Sequence, residues 1–214
     1  MTNYTLLLLT LLSLSCTGSG KMNKSSNIKK QEIPGRIECE YYDSGGEGIA
    51  YHDTDSVNHG SGKLNPPDGS FLHEFRMKEG VDISYTKTGG IDNNPYNQVN
   101  RDSNQLYVGW TVPGEWINYT IRVNKTAVYR LGLMYTANGD GGISFDLDGR
   151  PVTTTLKISS TYNSRDTVAW RQWHHWNKTD SLTSIKLKKG EHKLTLHVTE
   201  HGQMNFDYLD FTEE

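Results

Sequence analysis

The sequence predicts an all-β domain, a two-layer β-sandwich or jelly roll. Three observations carry this. Apolar and polar residues alternate with period 2 in run after run from Arg36 onward, no segment has the 3.6-residue period of an amphipathic helix, and Gly-containing turns separate the runs. The first run, Arg36-Ile37-Glu38-Cys39-Glu40-Tyr41, reads as a strand with Glu38 and Glu40 on one face. Cys39 within it reads as a small buried hydrophobe. Trp116 to Val123 and Val128 to Tyr135 follow. Ile143, Phe145 and Leu147 then alternate with Ser144, Asp146 and Asp148, and Asp148-Gly149 makes a turn. Ile185 and Leu187 lead to a turn at Lys189-Gly190. Leu194, Leu196 and Val198 alternate with polar partners, and Asn205 to Phe211 is the last strand. One apolar face per strand is what a two-layer core needs. The stretch Gly60 to Gln105 lacks this period and is rich in Gly, Asn, Asp and Pro, as functional loops are.

The N-terminal part reads differently. Leu6 to Leu14 is an apolar run interrupted by Thr10 and Ser13, too short for a membrane span of about 20 residues. At this position it reads as the core of an export signal. Ser13-Leu14-Ser15-Cys16 resembles the lipobox of bacterial lipoproteins, with two departures: residues 1–5 carry no Lys or Arg, and Ser13 stands where Leu is usual. The expected organisation is therefore a signal peptide of lipoprotein type at 1–16, a polar flexible linker at 17–35, and a β-sandwich module at 36–214. The chain is expected to be exported, as a cell-surface or outer-membrane lipoprotein held through Cys16, or otherwise secreted.

Composition narrows the function classes. With 22 Lys+Arg against 25 Asp+Glu, the charge makes no case for nucleic acid. Two Cys exclude a disulfide-dense scaffold. Twelve Tyr and 5 Trp against 5 Phe favour rings with one wet edge, as at binding surfaces. Gly60-Ser61-Gly62-Lys63-Leu64 fails as a phosphate loop, because Val57 and Leu64 replace the residues that motif needs. His52, His59, His73, His174 and His175 have no ligand spacing and read as surface histidines. Glu38 and Glu40 offer hard oxygen donors that suit Ca²⁺, or else the polar face of an edge strand. Trp170-Arg171-Gln172-Trp173-His174-His175-Trp176 places three indoles among polar neighbours. In a strand they cannot share one side, so at least one is exposed; Trp173 and Trp116 read as core.

Several stretches together resemble the family 6 carbohydrate-binding modules, with family 35 close behind. They are Ile37 to Asp43, Gly45 to Thr54, Glu79 to Ile83, Val108-Gly109-Trp110, Gly114 to Thr120, Trp170 to Trp173, and Asn205 to Leu209. The resemblance implies a β-sandwich jelly roll of the galactose-binding-like kind, without catalytic activity, that binds polysaccharide and holds a structural calcium ion. It implies Glu38, Glu40 and Asp207 as the calcium ligands. It implies Trp110 and Trp170 as the clamp on a sugar ring and Asn205 as a hydrogen-bonding partner, with Tyr51 and Asp53 as further polar contacts. β-Glucan, xylan and agar-type chains are all expected as candidate ligands, and a separate glycan-degrading enzyme as a companion. Cys39 stands where that family commonly has Ala, and Ile91 to Gln105 is longer than the family minimum. Two other readings are a small glycan hydrolase or lyase on the same sandwich, and a surface adhesin whose Trp cluster meets a protein.

Overall fold

The computed structural model describes residues Gln31–Glu214, so the signal-peptide and Cys16 expectations lie outside the described residues. Among those residues the strands are β1 (Gln31–Ile33), β2 (Gly35–Glu38), β3 (Tyr51–His52), β4 (Ile83–Tyr85), β5 (Leu106–Val108), β6 (Trp116–Val123) and β7 (Ala127–Ala137). They continue with β8 (Gly141–Leu147), β9 (Arg150–Pro151), β10 (Leu156–Ile158), β11 (Asn177–Leu187), β12 (Gly190–Glu200) and β13 (Met204–Glu213). A single helical turn, Phe71–Glu74, and a 3₁₀ helix, Ala169–His174, interrupt the loops. One sheet runs β1-β6-β12-β8-β10, with β3 beside β6 and β9 beside β8. The other runs β11-β7-β13-β5-β4, with β2 also on β13. The fold is the all-β sandwich that the alternation predicts.

The core forms where the apolar faces of the two sheets meet. Tyr119, Ile121, Phe145, Leu194 and Leu196 from the first sheet face Ile37, Leu131, Leu133, Phe206 and Leu209 from the second, all fully buried. Cys39 is buried with them as a free thiol, as its setting in the sequence implies. Asp148 and Gly149 both take positive φ, +52° and +74°, in the two-residue hairpin that pairs Leu147 with Arg150. Both central residues of such a turn must be left-handed, which Asp and Gly tolerate best.

Two boundaries differ from the sequence reading. Gln31–Ile33, expected in the linker, is a strand that pairs in parallel with Ile121–Val123 of β6. The buried Gln31 side chain donates to the carbonyls of Glu38 and Tyr41 and accepts from Glu38 N. The ordered module therefore includes residues before Arg36. Glu40 also lies beyond β2, in a turn, so period 2 does not govern it.

The long loop after β3 is held by Asn58, which is buried. Its Oδ1 accepts from the backbone N–H groups of Gly60, Ser61 and Ile83, at 3.0, 2.8 and 3.1 Å. Gly60 packs so closely on β4 that a Cβ there would sit 1.9 Å from the Ile83 carbonyl oxygen. Gly60→Ala is expected to cost about 1–3 kcal/mol, the usual range for forcing atoms into a packed site. Gly139→Ala, with nothing within 4 Å of its Cβ, should change stability by less than about 0.5 kcal/mol. Urea unfolding of the two variants beside wild type checks this.

Candidate functional site

At one end of the sandwich, loops from both sheets enclose a cavity of about 560 Å³. Trp110, Thr111 and Val112 line it from the turn between β5 and β6. Trp170, Trp173 and His174 come from the 3₁₀ helix, His201 and Gln203 from the turn before β13, and Asn205 from β13 itself. Leu64 and Tyr107 complete the wall. Trp110 is 43% exposed and Trp170 54%, so two large indoles stand open at the same cavity.

Trp110 is held in the left-handed region at φ +51°, a conformation that costs a non-glycine residue roughly 1–2 kcal/mol and concentrates at binding sites. Neighbouring bonds keep it there. Trp110 N–H donates to Asn205 Oδ1 at 3.3 Å, Gly109 N–H donates to the Asp82 carbonyl at 2.9 Å, and Thr111 Oγ1 donates to the Met204 carbonyl at 2.9 Å. Gly109 is required because a Cβ would meet Asn205 Oδ1 at 2.9 Å. The buried Glu115 closes the turn by accepting from Val112 N–H and from the Thr54 hydroxyl.

Trp170 and Trp173 sit in a 3₁₀ helix rather than in a strand. There residues three apart eclipse, so the same spacing puts both indoles on one side. The base of this helix is the carboxylate of Asp166. It accepts from Arg171 Nε and Nη2 at 2.7 and 2.8 Å and from Val168 N–H at 3.0 Å, and His175 Nε2 lies 2.8 Å away. The Arg171 guanidinium, helped by these other donors, holds the Asp166 carboxyl well below the usual carboxylate range. A second carboxylate, Asp92, supports the helix end, with His174 Nδ1 at 2.8 Å, Trp176 Nε1 donating at 2.7 Å, and Lys87 N–H donating to its other oxygen.

Trp173 is thus a half-buried cavity wall and Trp116 a half-buried residue beside His52, where core positions were expected; the fully buried indole is Trp176. His175 is not a surface residue either, being buried against Asp166.

Asn205 is 4% exposed, and both its amide hydrogens are engaged within the protein. Nδ2 donates to Thr136 Oγ1 at 3.0 Å and to the Trp173 carbonyl at 2.8 Å. The structure brings Trp110, Trp170 and Asn205 together, with Asn205 bonding to both sides of the cavity.

The comparisons with known proteins bear on this end of the sandwich. The family model described as carbohydrate binding module (family 6) matches residues 82–213, which include all of these residues but Leu64. The chain belongs to that family. Two solved structures share the module's fold at a TM-score of 0.50. One is a family 6 carbohydrate-binding module studied by binding-subsite dissection, 15% identical, covering 86% of this chain and 98% of that one. The other is a family 43 arabinoxylan arabinofuranohydrolase from Bacillus subtilis in complex with cellotetraose, 17% identical over 86% of this chain and 28% of that enzyme. No curated protein matches.

Tyr51 and Asp53 do not line the cavity of this family 6 module. Tyr51 is buried, edge-on to Tyr42, and its hydroxyl accepts from Gly80 N–H at 2.8 Å. Asp53 is half-buried in a group with Asp55, His59, Asp82 and Glu115. Burial pushes the Asp53 carboxyl up to about 6 and the Asp82 carboxyl up to about 7.

Glu38, Glu40 and Asp207, the residues expected to ligate calcium, line one cavity together with residues of β1 and of the segment leading into β5. Asp207 is the extra residue of a β-bulge. Phe206 pairs with Tyr135 and Tyr208 with Met134, leaving Asp207 unmatched on β7. A bulge redirects a side chain, so the inward positions shift from Met204 and Phe206 to Leu209 and Phe211. A cation already stands at Asp207. Arg101 Nη2 lies 2.8 Å from Asp207 Oδ2, with the two side chains 6% and 3% exposed. Burial raises Asp207 to about 7 and raises Glu40 well above its ordinary value, while Arg101 opposes both shifts. Among the described residues no three His, Cys, Asp or Glu side chains are grouped closely enough to hold a metal ion.

The raised carboxyls of the Asp53–Asp82 group fix a pH response. Above the ordinary Asp value of about 4 and up to about 7, the folded state binds more protons than the unfolded state, so stability falls as pH rises through that window. His59, raised by its bond to Asp55, acts in the same direction. Melting midpoints are expected to fall between about pH 5 and about pH 8, and Asp82→Asn to flatten that slope. Calorimetric scans of both proteins across the range check this.

Proposed function

We propose that this family 6 module binds polysaccharide without cleaving it, seating a sugar ring between Trp110 and Trp170. The observation that carries the reading is the pair of exposed indoles at one mainly apolar cavity, both fixed from behind before any ligand arrives. The CH face of a pyranose is flat and apolar, so stacking it on an indole removes apolar surface from water. His174, His201 and Gln203 put polar edges on the same wall, where ring hydroxyls can be hydrogen-bonded. Asn205 acts behind the wall as a positioning residue. Preformed walls leave little ordering entropy to oppose binding.

A β-glucan, xylan or agar-type chain is the proposed ligand class, and the cellotetraose complex of the Bacillus subtilis neighbour supports the inclusion of β-linked glucose chains. Lipid attachment at Cys16 is proposed to hold the module at the cell surface, where a separate glycan-degrading enzyme would act beside it.

Affinity electrophoresis of the protein in laminarin, xylan, agarose and cellulose derivatives tests the reading. Retardation by at least one polymer is expected, with no reducing sugar released. Trp110→Ala and Trp170→Ala should each weaken binding by about 2 kcal/mol, roughly 30-fold, with melting midpoints near wild type. Normal retardation of both variants, or a folded protein retarded by no polymer, would overturn it.

A further inference from the structure

We propose that Arg101 is this module's built-in structural cation: its guanidinium takes the place that the family resemblance gives to calcium, and the sandwich stands without a metal ion. Arg101 belongs to the long loop between β4 and β5, and it is no mobile surface side chain. It is almost wholly buried, with Nη2 at 2.8 Å from Asp207 Oδ2. Its guanidinium carbon lies 4.9 Å from the ring centroid of the buried Trp176, which adds a cation–π contact on the other side.

The backbone that carries it is tied at both ends. Gln98 N–H donates to the Trp176 carbonyl at 2.9 Å, and Trp176 N–H donates to Asn97 Oδ1 at 3.1 Å. On the far side, Asn104 N–H donates to the Thr86 carbonyl, Thr86 N–H to the Gln105 carbonyl, and Thr86 Oγ1 to the Asp102 carbonyl, each at 2.8 Å.

A guanidinium stays charged at every pH a folded protein meets. It therefore supplies a permanent positive charge to Asp207 and, through the same space, to Glu40. Glu40 Oε2, Asp207 Oδ2 and Arg101 Nε and Nη2 are all buried without a hydrogen bond of good geometry among the described residues, so Arg101 meets the two carboxyl groups as a nearby charge, an ion pair by distance with Asp207, rather than as an aligned hydrogen-bond donor. Calcium needs six to eight oxygen ligands at 2.3–2.6 Å or so. With the guanidinium nitrogen 2.8 Å from Asp207 Oδ2, a calcium ion on that same oxygen would face a like charge at close range. The carboxylates as they stand with Arg101 among them do not fit the ion.

Thermal unfolding of the wild-type protein in EDTA and in millimolar Ca²⁺, with calorimetric Ca²⁺ titration, is the first arm of the test. The expected result is one midpoint in both buffers and no binding heat. A midpoint lowered by EDTA and restored by Ca²⁺ would overturn the proposal. The second arm compares Arg101→Gln with Arg101→Lys. Breaking a buried ion pair in a domain of this size should lower the midpoint by roughly 10 °C in Arg101→Gln. Arg101→Lys, which keeps the charge, should lose clearly less. Equal losses would assign Arg101 to packing on Trp176 alone and would also overturn it. If Arg101→Gln does not fold, the wild-type arm decides.

Discussion

The side-chain amide of Asn205 is the interaction on which the candidate site depends. The two walls of the cavity come from segments far apart in the chain, the turn at Gly109–Glu115 and the 3₁₀ helix at Ala169–His174. Neither wall is part of a sheet, and each would wander if it were anchored only at its ends. Asn205, on the last strand, bonds to both: its oxygen takes the Trp110 N–H and its nitrogen gives to the Trp173 carbonyl. Thr136 of β7 receives the other amide hydrogen and itself donates to the Trp173 carbonyl, so the staple is rooted in two adjacent strands. A buried amide with all its hydrogens satisfied is strongly directional, because any displacement leaves a polar group unpaired.

The loop between β4 and β5 takes the same logic to the outer face of the second sheet. Leu106 and Val108 point into the core, so Tyr107 between them faces outward, where it meets Met134, Trp176 and Tyr208, with Val99 of the loop packed against them. Asp92, near the start of this loop, receives Trp176 and His174 beneath the cavity. Arg101, near its end, reaches the Asp207 carboxylate. One irregular segment thus supports the 3₁₀-helix wall of the cavity and places a guanidinium beside a buried acid. A stretch without hydrophobic period is thus held largely by polar partners inside the module.

Much of this was legible in the sequence, for identifiable reasons. Alternation in Trp116–Val123 and Leu194–Val198 reported the sandwich directly, because each of those strands turns its alternate apolar side chains into the core. Trp110 was singled out by the resemblance at Val108-Gly109-Trp110, and Trp170 as a ring among polar neighbours; both are exposed at the cavity. The geometry of the last strand was hidden. A bulge at Asp207 breaks the period, and a linear pattern carries no sign of where a strand will bulge. The Trp170–Trp176 segment was read with the period of a strand, whereas its period is three, and that difference moved Trp173 from core to cavity. Asp92, Asp166 and Arg101 were missed because their partners lie across the fold or are meaningful only once a 3₁₀ turn is drawn. The three-residue spacing of Trp170 and Trp173 was the available signal.

A sugar ring seated between Trp110 and Trp170 would also lie against Trp173, which lines the same cavity, and would meet neither of the other two indoles. The protein contains 5 Trp, and each gives its own indole N–H resonance in a ¹H–¹⁵N correlation spectrum. Titration with an oligosaccharide of whichever polymer retards the protein, with resonances assigned by single Trp→Phe substitutions, reads all of them at once. The signals of Trp110, Trp170 and Trp173 are expected to move while those of Trp116 and Trp176 stay in place. Saturable shifts confined to Trp116, or spread over no indole at all, would contradict it.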